Sequence, residues 1–326
     1  MKTRSAVLSA ALLCAVAGAQ TAPPPGNPPP PTENPAAMFE AFSKVPDTAG
    51  SGPYPAIKAE DPAFPGHTVY RPRDIAALKG RKLPVLLWGN GGCSNDGASA
   101  RLFLSEIASH GYLVVAAGTI RSGPGIPYRP EPQVAPPPGK VIPQIKTQAQ
   151  EVAQGLDLAI RAGRDRRHPL YGHVDAARVA VSGHSCGGLQ ALQVAGDPRI
   201  RTVIVQNSGI FADGTNPIAG MTVDKSLLKT LHTPILYILG GPQDVAHPNG
   251  TDDFARIDTV PAVLVDLPVG HGGTFMQPNG GRAAQITLAW LDWQLGGDRR
   301  AAAMFTGADC GLCRQEGVRI ERKRLG

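Results

Sequence analysis

No stretch of this chain constrains its fold more than Val179-Ala180-Val181-Ser182-Gly183-His184-Ser185-Cys186-Gly187-Gly188. An apolar, β-branched run over Arg178–Ser182 breaks at Gly183-x-Ser185-x-Gly187 and passes into a helical pattern over Cys186–Ala195. A chain that turns so sharply from strand to helix holds its serine on strained backbone with the hydroxyl exposed. Glycines two before and two after the serine let strand and helix approach. A helix opening at the serine also favours negative charge there. A tight strand-to-helix turn with an incidental serine is the structural alternative.

The surrounding sequence repeats the same grammar. Short apolar runs at His67–Pro72, Leu83–Trp88, Tyr112–Ala117, Thr202–Val205, Pro234–Leu239 and Ala262–Leu267 read as strands. Helical spacing covers 98–109, 145–162, 186–195 and 282–295. Continuous apolar strands alternating with helices predict an α/β fold with a mostly parallel sheet covered on both faces. The Pro-rich excursion Thr119–Pro143 is long for a connection, which marks a functional insertion or lid.

The ends differ from this body. Residues 1–19 place a basic start (Lys2, Arg4) before an apolar run and a small-residue close, the layout of a signal peptide. Residues 20–35 are Pro-rich and read as a linker, leaving 36–326 as one folded domain. Without residues 1–19 the chain carries 30 Lys and Arg against 26 Asp and Glu, a formal charge near +4. The only dense basic run, Arg319–Arg324, reads as a solvated terminus, so nucleic-acid binding is not expected. The expected location is secreted or periplasmic, without stable membrane insertion, because the leading apolar run is short for a bilayer.

A serine hydroxyl needs a base near neutral pH. Of eight histidines only His232, His247 and His271 follow Ser185. His271 lies in Pro268-Val269-Gly270-His271-Gly272-Gly273, just past a strand, whereas His232 precedes one. The acid expected between serine and histidine is Asp244, in Gly240-Gly241-Pro242-Gln243-Asp244 at the end of the Pro234–Leu239 strand. Asp252 and Asp253 fall inside the next helix, and Asp266 within a strand. Negative charge developing on an attacked carbonyl wants two N–H donors. Cys186, next to the nucleophile, is one; Gly92, with Cys93 second choice, is the other, from Gly89-Asn90-Gly91-Gly92-Cys93. Cys93 and Cys186 either join or remain two small buried thiols; Cys310-Gly311-Leu312-Cys313 fits a local disulfide.

With these residues in place, the chain resembles the α/β-hydrolases, and within them secreted bacterial esterases related to dienelactone hydrolases and cutinase-like polyester hydrolases. The resemblance rests on Gly183–Gly188, Gly240–Asp244, Gly270–Gly273 and Ser109–Val115, and spans roughly residues 66–297. It implies an α/β-hydrolase fold with a mostly parallel sheet of about eight strands, no cofactor and no metal. It further implies a Ser185–His271–Asp244 triad that cleaves carboxylic esters through an acyl-enzyme. Asn90 stands where a histidine often sits, and Cys186 where many polyester-active relatives carry methionine. The expected partner is a small-molecule or polymeric ester. Cutin-type polyester hydrolysis, peptidase or amidase activity, and a non-catalytic binding module are the alternatives. Neither substrate size nor oligomeric state is legible.

Overall fold

Nine strands form one sheet, in the order β1-β2-β4-β3-β5-β6-β7-β8-β9. The computed structural model describes residues 35–127, 129, 135–140 and 144–325. The expected signal segment, nearly all of the Pro-rich linker, Tyr128 and part of the 119–143 excursion lie outside the described residues. In the middle, β3 (Leu83–Gly89), β4 (Leu113–Ala117), β5 (Val174–His184), β6 (Thr202–Gln206), β7 (Ile235–Leu239) and β8 (Ala262–Asp266) run parallel. Antiparallel strands close both edges: β1 (Ala56–Glu60) on β2 (His67–Pro72), β2 on β4, and β9 (Arg319–Lys323) on β8.

The buried stretches of the central strands are mostly apolar because both faces are covered, and the pleat divides each strand between two cores. Val85, Leu87, Val179, Val181 and Val203 face α3 (Ala149–Arg164), α4 (Cys186–Val194) and α5 (His247–Arg256). Leu86, Trp88, Ala180, Ile204 and Leu236 face α2 (Arg101–Ser109) and α6 (Gly281–Gly296). Trp88 is fully buried, 5.2 Å from the Phe103 ring and 5.9 Å from Phe275, so it belongs to the core. Two further helices, α1 (Pro35–Lys44) and α7 (Arg299–Ala302), flank the body.

Two expectations are corrected here. The sheet has nine strands where about eight were expected, and the basic tail is the ninth. Its backbone pairs with β8 over Ala262–Asp266, and Lys323 Nζ donates to the carbonyls of Phe254, Ala255 and Ile257 at the end of α5. A cation at a helix C-terminus is favourable, which gives this basic segment a structural place. The helix expected over 145–162 starts only at Ala149, where the Gln148 amide donates to Glu151 Oε2 at 2.6 Å and closes the N-terminus.

Strand β3 sets the position of the site. Both of its neighbours follow it in sequence, so the chain leaves β3 toward β4 and crosses back to β5 on the other side. Connections diverge there and open a crevice at the carboxyl ends of the strands. The loops after β3, β5, β6, β7 and β8 all emerge at that edge.

Candidate active site

Ser185 has φ 53° and ψ −122°, a conformation that L-residues rarely adopt. The glycines around it are sterically required. A Cβ on Gly183 would overlap the Gly187 carbonyl, and one on Gly187 would overlap the Gly89 carbonyl. Strand β5, helix α4 and the end of β3 therefore approach to backbone contact, which only glycine permits.

Ser185, His271 and Asp244 come together from three separate loops. His271 Nε2 lies 2.9 Å from Ser185 Oγ, and His271 Nδ1 lies 2.6 Å from Asp244 Oδ1. The carboxylate can only accept at Nδ1, so Nδ1 carries the proton and Nε2 is left to accept from the serine hydroxyl. Asp244 is buried. Burial alone raises a carboxyl pKa, but donors from His271, the amides of Ala246 and Gly240, and Asn207 overcome it and hold Asp244 at about 2. Asp244 is thus a carboxylate at any ordinary pH, suited to orienting an imidazole and to balancing a charge on it.

Asn207 is missing from the sequence-based site. It follows β6 directly, and its Nδ2 donates to Asp244 Oδ2 at 2.9 Å and to the Gly270 carbonyl at 3.0 Å. One side chain thereby joins the acid to the loop carrying the histidine. The Gly270 amide adds a bond to the Gly240 carbonyl at 2.7 Å, and a Cβ on Gly240 would overlap the Gly270 carbonyl. The signal available in the sequence was positional: a polar Asn followed by Ser208 and Gly209 at the carboxyl end of an apolar strand.

Asp266, His247, Asp253 and His184 have structural partners. Asp266 Oδ1 accepts from the Gly241 amide at 2.7 Å, and Oδ2 lies 2.9 Å from His247 Nε2, bracing the acid loop from behind. Asp253 Oδ2 accepts from the Ile210 amide at 2.8 Å, and Oδ1 accepts from Lys225 Nζ at 2.6 Å. His184, beside Ser185, donates from Nε2 to the His271 carbonyl at 2.8 Å, and its ring centroid lies 4.7 Å from Phe275. Burial lowers its pKa to about 4, so the ring is neutral near pH 7.

The loop after β3 lies beside the Ser185 turn. A Cβ on Gly91 would meet His184 Nδ1 at 2.6 Å. Cys93 and Cys186 form a disulfide with Cα atoms 5.2 Å apart, and Cys310 and Cys313 form a second. The Cys93 amide donates to the Asn90 carbonyl at 3.0 Å, whereas Gly92 has no backbone partner for its amide among the described residues. Asn90, in the position noted above for histidine, is buried and donates from Nδ2 to the carbonyls of Ala117 and Ser94, pinning the turn.

A cleft of about 260 Å³ opens on Ser185 and His271; Leu189, Phe211, Pro217, Ile218 and Val245 make its wall largely apolar. Clefts of about 640 and 560 Å³ elsewhere contain none of the three triad residues. The site can therefore deprotonate a hydroxyl next to an apolar space of small-ligand size. No protein-family model matches this chain, and no curated protein matches it. Among the described residues no helix is long and apolar enough to cross a membrane.

Proposed function

We propose that this chain is a serine hydrolase of the α/β-hydrolase type that cleaves carboxylic esters through an acyl-enzyme. The observation that carries the reading is the unbroken hydrogen-bonded series Ser185–His271–Asp244, at 2.9 and 2.6 Å, at the mouth of an apolar cleft. The sheet order, with nucleophile, acid and base following β5, β7 and β8 in that sequence, supports the same reading. Two disulfides and the signal-like residues 1–19 support an exported protein.

Ser185 Oγ attacks the acyl carbon while His271 Nε2 takes its proton. The imidazolium then protonates the departing alkoxide, and the alcohol leaves. Asp244 keeps the Nδ1–H tautomer and balances the transient charge. Water, deprotonated by His271, attacks the acyl-enzyme and frees the acid. The N–H groups of Cys186 and Gly92 receive the oxyanion, and each donor is worth about 3–4 kcal/mol of barrier. The apolar wall takes the acyl chain.

The test is hydrolysis of 4-nitrophenyl esters of rising chain length by the wild-type chain and by Ser185→Ala, with fluorophosphonate labelling of both. Hydrolysis and labelling that both vanish in the variant support the reading. Wild-type protein that neither labels nor hydrolyses any ester overturns it.

A further inference from the structure

We infer that the Cys93–Cys186 disulfide is a positioning element of the proposed reaction: it holds the oxyanion loop against the nucleophile, and its loss lowers turnover without unfolding the chain. The inference rests on the ester-hydrolase reading above and deepens it.

The two half-cystines sit at particular points. Cys186 directly follows Ser185 and opens α4, so its own amide is at the N-terminus of that helix. Cys93 closes the turn that follows β3 and contains Gly92. The bond spans 93 residues of sequence and joins the two segments from which the oxyanion donors come. Both sulfur-bearing residues are buried beneath the cleft, at 0% and 4% exposure.

The backbone of the turn is strained. Gly92 and Cys93 are consecutive left-handed residues, at φ 63° and φ 45°, and a non-glycine residue in that region is strained. Two glycines, Gly91 and Gly92, give the segment freedom to relax. Hydrogen bonds hold its outer side: the Cys93 carbonyl accepts from the amides of Lys146 and Thr147 at 3.1 and 3.0 Å and from Thr147 Oγ1 at 3.1 Å. Gln190 of α4 donates to the Thr147 carbonyl at 2.7 Å, which links that side indirectly to the helix. The disulfide is the direct link from the turn to the residue after the nucleophile. An oxyanion donor acts only within a few tenths of an ångström of its place, so a turn held only by Asn90 at its start and by the Cys93 carbonyl at its end, with no direct tie to α4, loses part of its effect.

Opening the bond takes two electrons. A dithiol attacks one sulfur, the other leaves as a thiolate, and resolution of the mixed disulfide gives two cysteine thiols and one oxidised dithiol.

The experiment uses the full chain, with Cys93→Ser, Cys93→Ser/Cys186→Ser and, as control, Cys310→Ser/Cys313→Ser. On one 4-nitrophenyl ester, the two variants lacking the site disulfide should lose about ten- to hundredfold in kcat, with KM changed less than about threefold. The control should keep wild-type kcat. Circular dichroism at the assay temperature reports the folded fraction, to which kcat is normalised. As a second route that needs no substitution in the turn, the control protein is treated with dithiothreitol, which should reproduce the loss, and reoxidation should restore turnover. Wild-type hydrolysis with kcat within threefold in both the variants and the reduced protein overturns this inference alone, because the hydrogen bonds to the Cys93 carbonyl would then suffice. A rise in KM at unchanged kcat overturns it too, by assigning the bond to the shape of the cleft. Absence of Ser185-dependent hydrolysis in the wild type overturns the underlying reading as well.

Discussion

Asn207 offers the sharpest check on how the site is assembled, since one buried amide joins the loops that carry Asp244 and His271. Asn207→Ala removes a hydrogen bond to the Asp244 carboxylate, worth about 1.5–3 kcal/mol, and one to the Gly270 carbonyl, worth about 1 kcal/mol. The position also sits at φ 47°, where alanine costs about 1 kcal/mol more than asparagine, which tolerates this region. The total is about 4 kcal/mol, or a fall of about 10 °C in Tm for a chain of this size. Asn207→Gly should recover about 1 kcal/mol of it by relieving the backbone. Asp244 keeps its donors from His271, Gly240 and Ala246, so the triad loosens and does not collapse. Loss of an orienting partner of this kind costs about ten- to hundredfold in kcat/KM. Asn207→Asp should be worse than alanine, because it sets a second acceptor against Asp244 Oδ2 and the Gly270 carbonyl. Thermal melts and ester kinetics on the three variants measure all of this. An alanine variant within 2 °C and twofold of wild type, or an aspartate variant better than alanine, would refute the assigned role; these limits lie well below the effects of lost buried hydrogen bonds.

Two further outcomes follow from the same geometry. Burial lowers the His184 pKa to about 4 from 6.5, so the unfolded chain binds the extra proton first; stability from this residue is complete above pH 6.5 and falls by up to about 3 kcal/mol as pH drops to about 4. Asp253, whose pKa burial raises to about 6, acts in the opposite direction over pH 3.8–6, so the quantity to follow is the difference in urea unfolding between His184→Gln and wild type, which should move in favour of the variant by up to about 3 kcal/mol as pH falls from 6.5 to about 4. Phe211→Ala enlarges the apolar wall of the cleft and should shift selectivity toward longer acyl chains by about tenfold in relative kcat/KM, read from a 4-nitrophenyl ester series.

How much of this was legible in the sequence depends on where each signal resides. The parallel strands were readable because burial on both faces makes Leu83–Trp88 or Ala262–Val265 continuously apolar, a local property. Strand β1, Ala-Ile-Lys-Ala-Glu, was not, because this edge strand is only partly buried beyond Ala56 and has no such run. Strand β9 reads as a charged tail until β8 supplies its pairing and α5 its acceptors for Lys323. Within the site, Ser185, His271 and Asp244 could be located because each follows a strand in a glycine-rich turn. Asn207 and His184 could not be assigned roles, since both act through carbonyls of a loop more than 60 residues away. The cysteines were legible as candidates by position, but their pairing depends on how closely the turn after β3 approaches α4.

Strain is concentrated at this site, and that leads to a last expectation. Six non-glycine residues among the described ones have positive φ, and Cys93, Ser185 and Asn207 are three of them. The covalent bond at Cys93 and the two hydrogen bonds at Asn207 hold two of these conformations in place. Ser185 is held by its amide, which donates to the Gln206 carbonyl at 2.9 Å, and by the close packing of β5 on α4. For an L-residue this geometry costs about 1–3 kcal/mol, whereas glycine adopts it freely. In most positions glycine is the less stable choice, by about 0.5–1 kcal/mol relative to alanine, because its unfolded state has more freedom. At position 185 the order should reverse. Ser185→Gly and Ser185→Ala both lack the hydroxyl and its bond to His271, so that loss cancels between them. The glycine variant should then be the more stable by about 1 kcal/mol in urea unfolding, the difference between relieved strain and added chain entropy. If alanine is the more stable of the two, the serine is not strained in solution, and exposure of its hydroxyl has to be explained by packing alone.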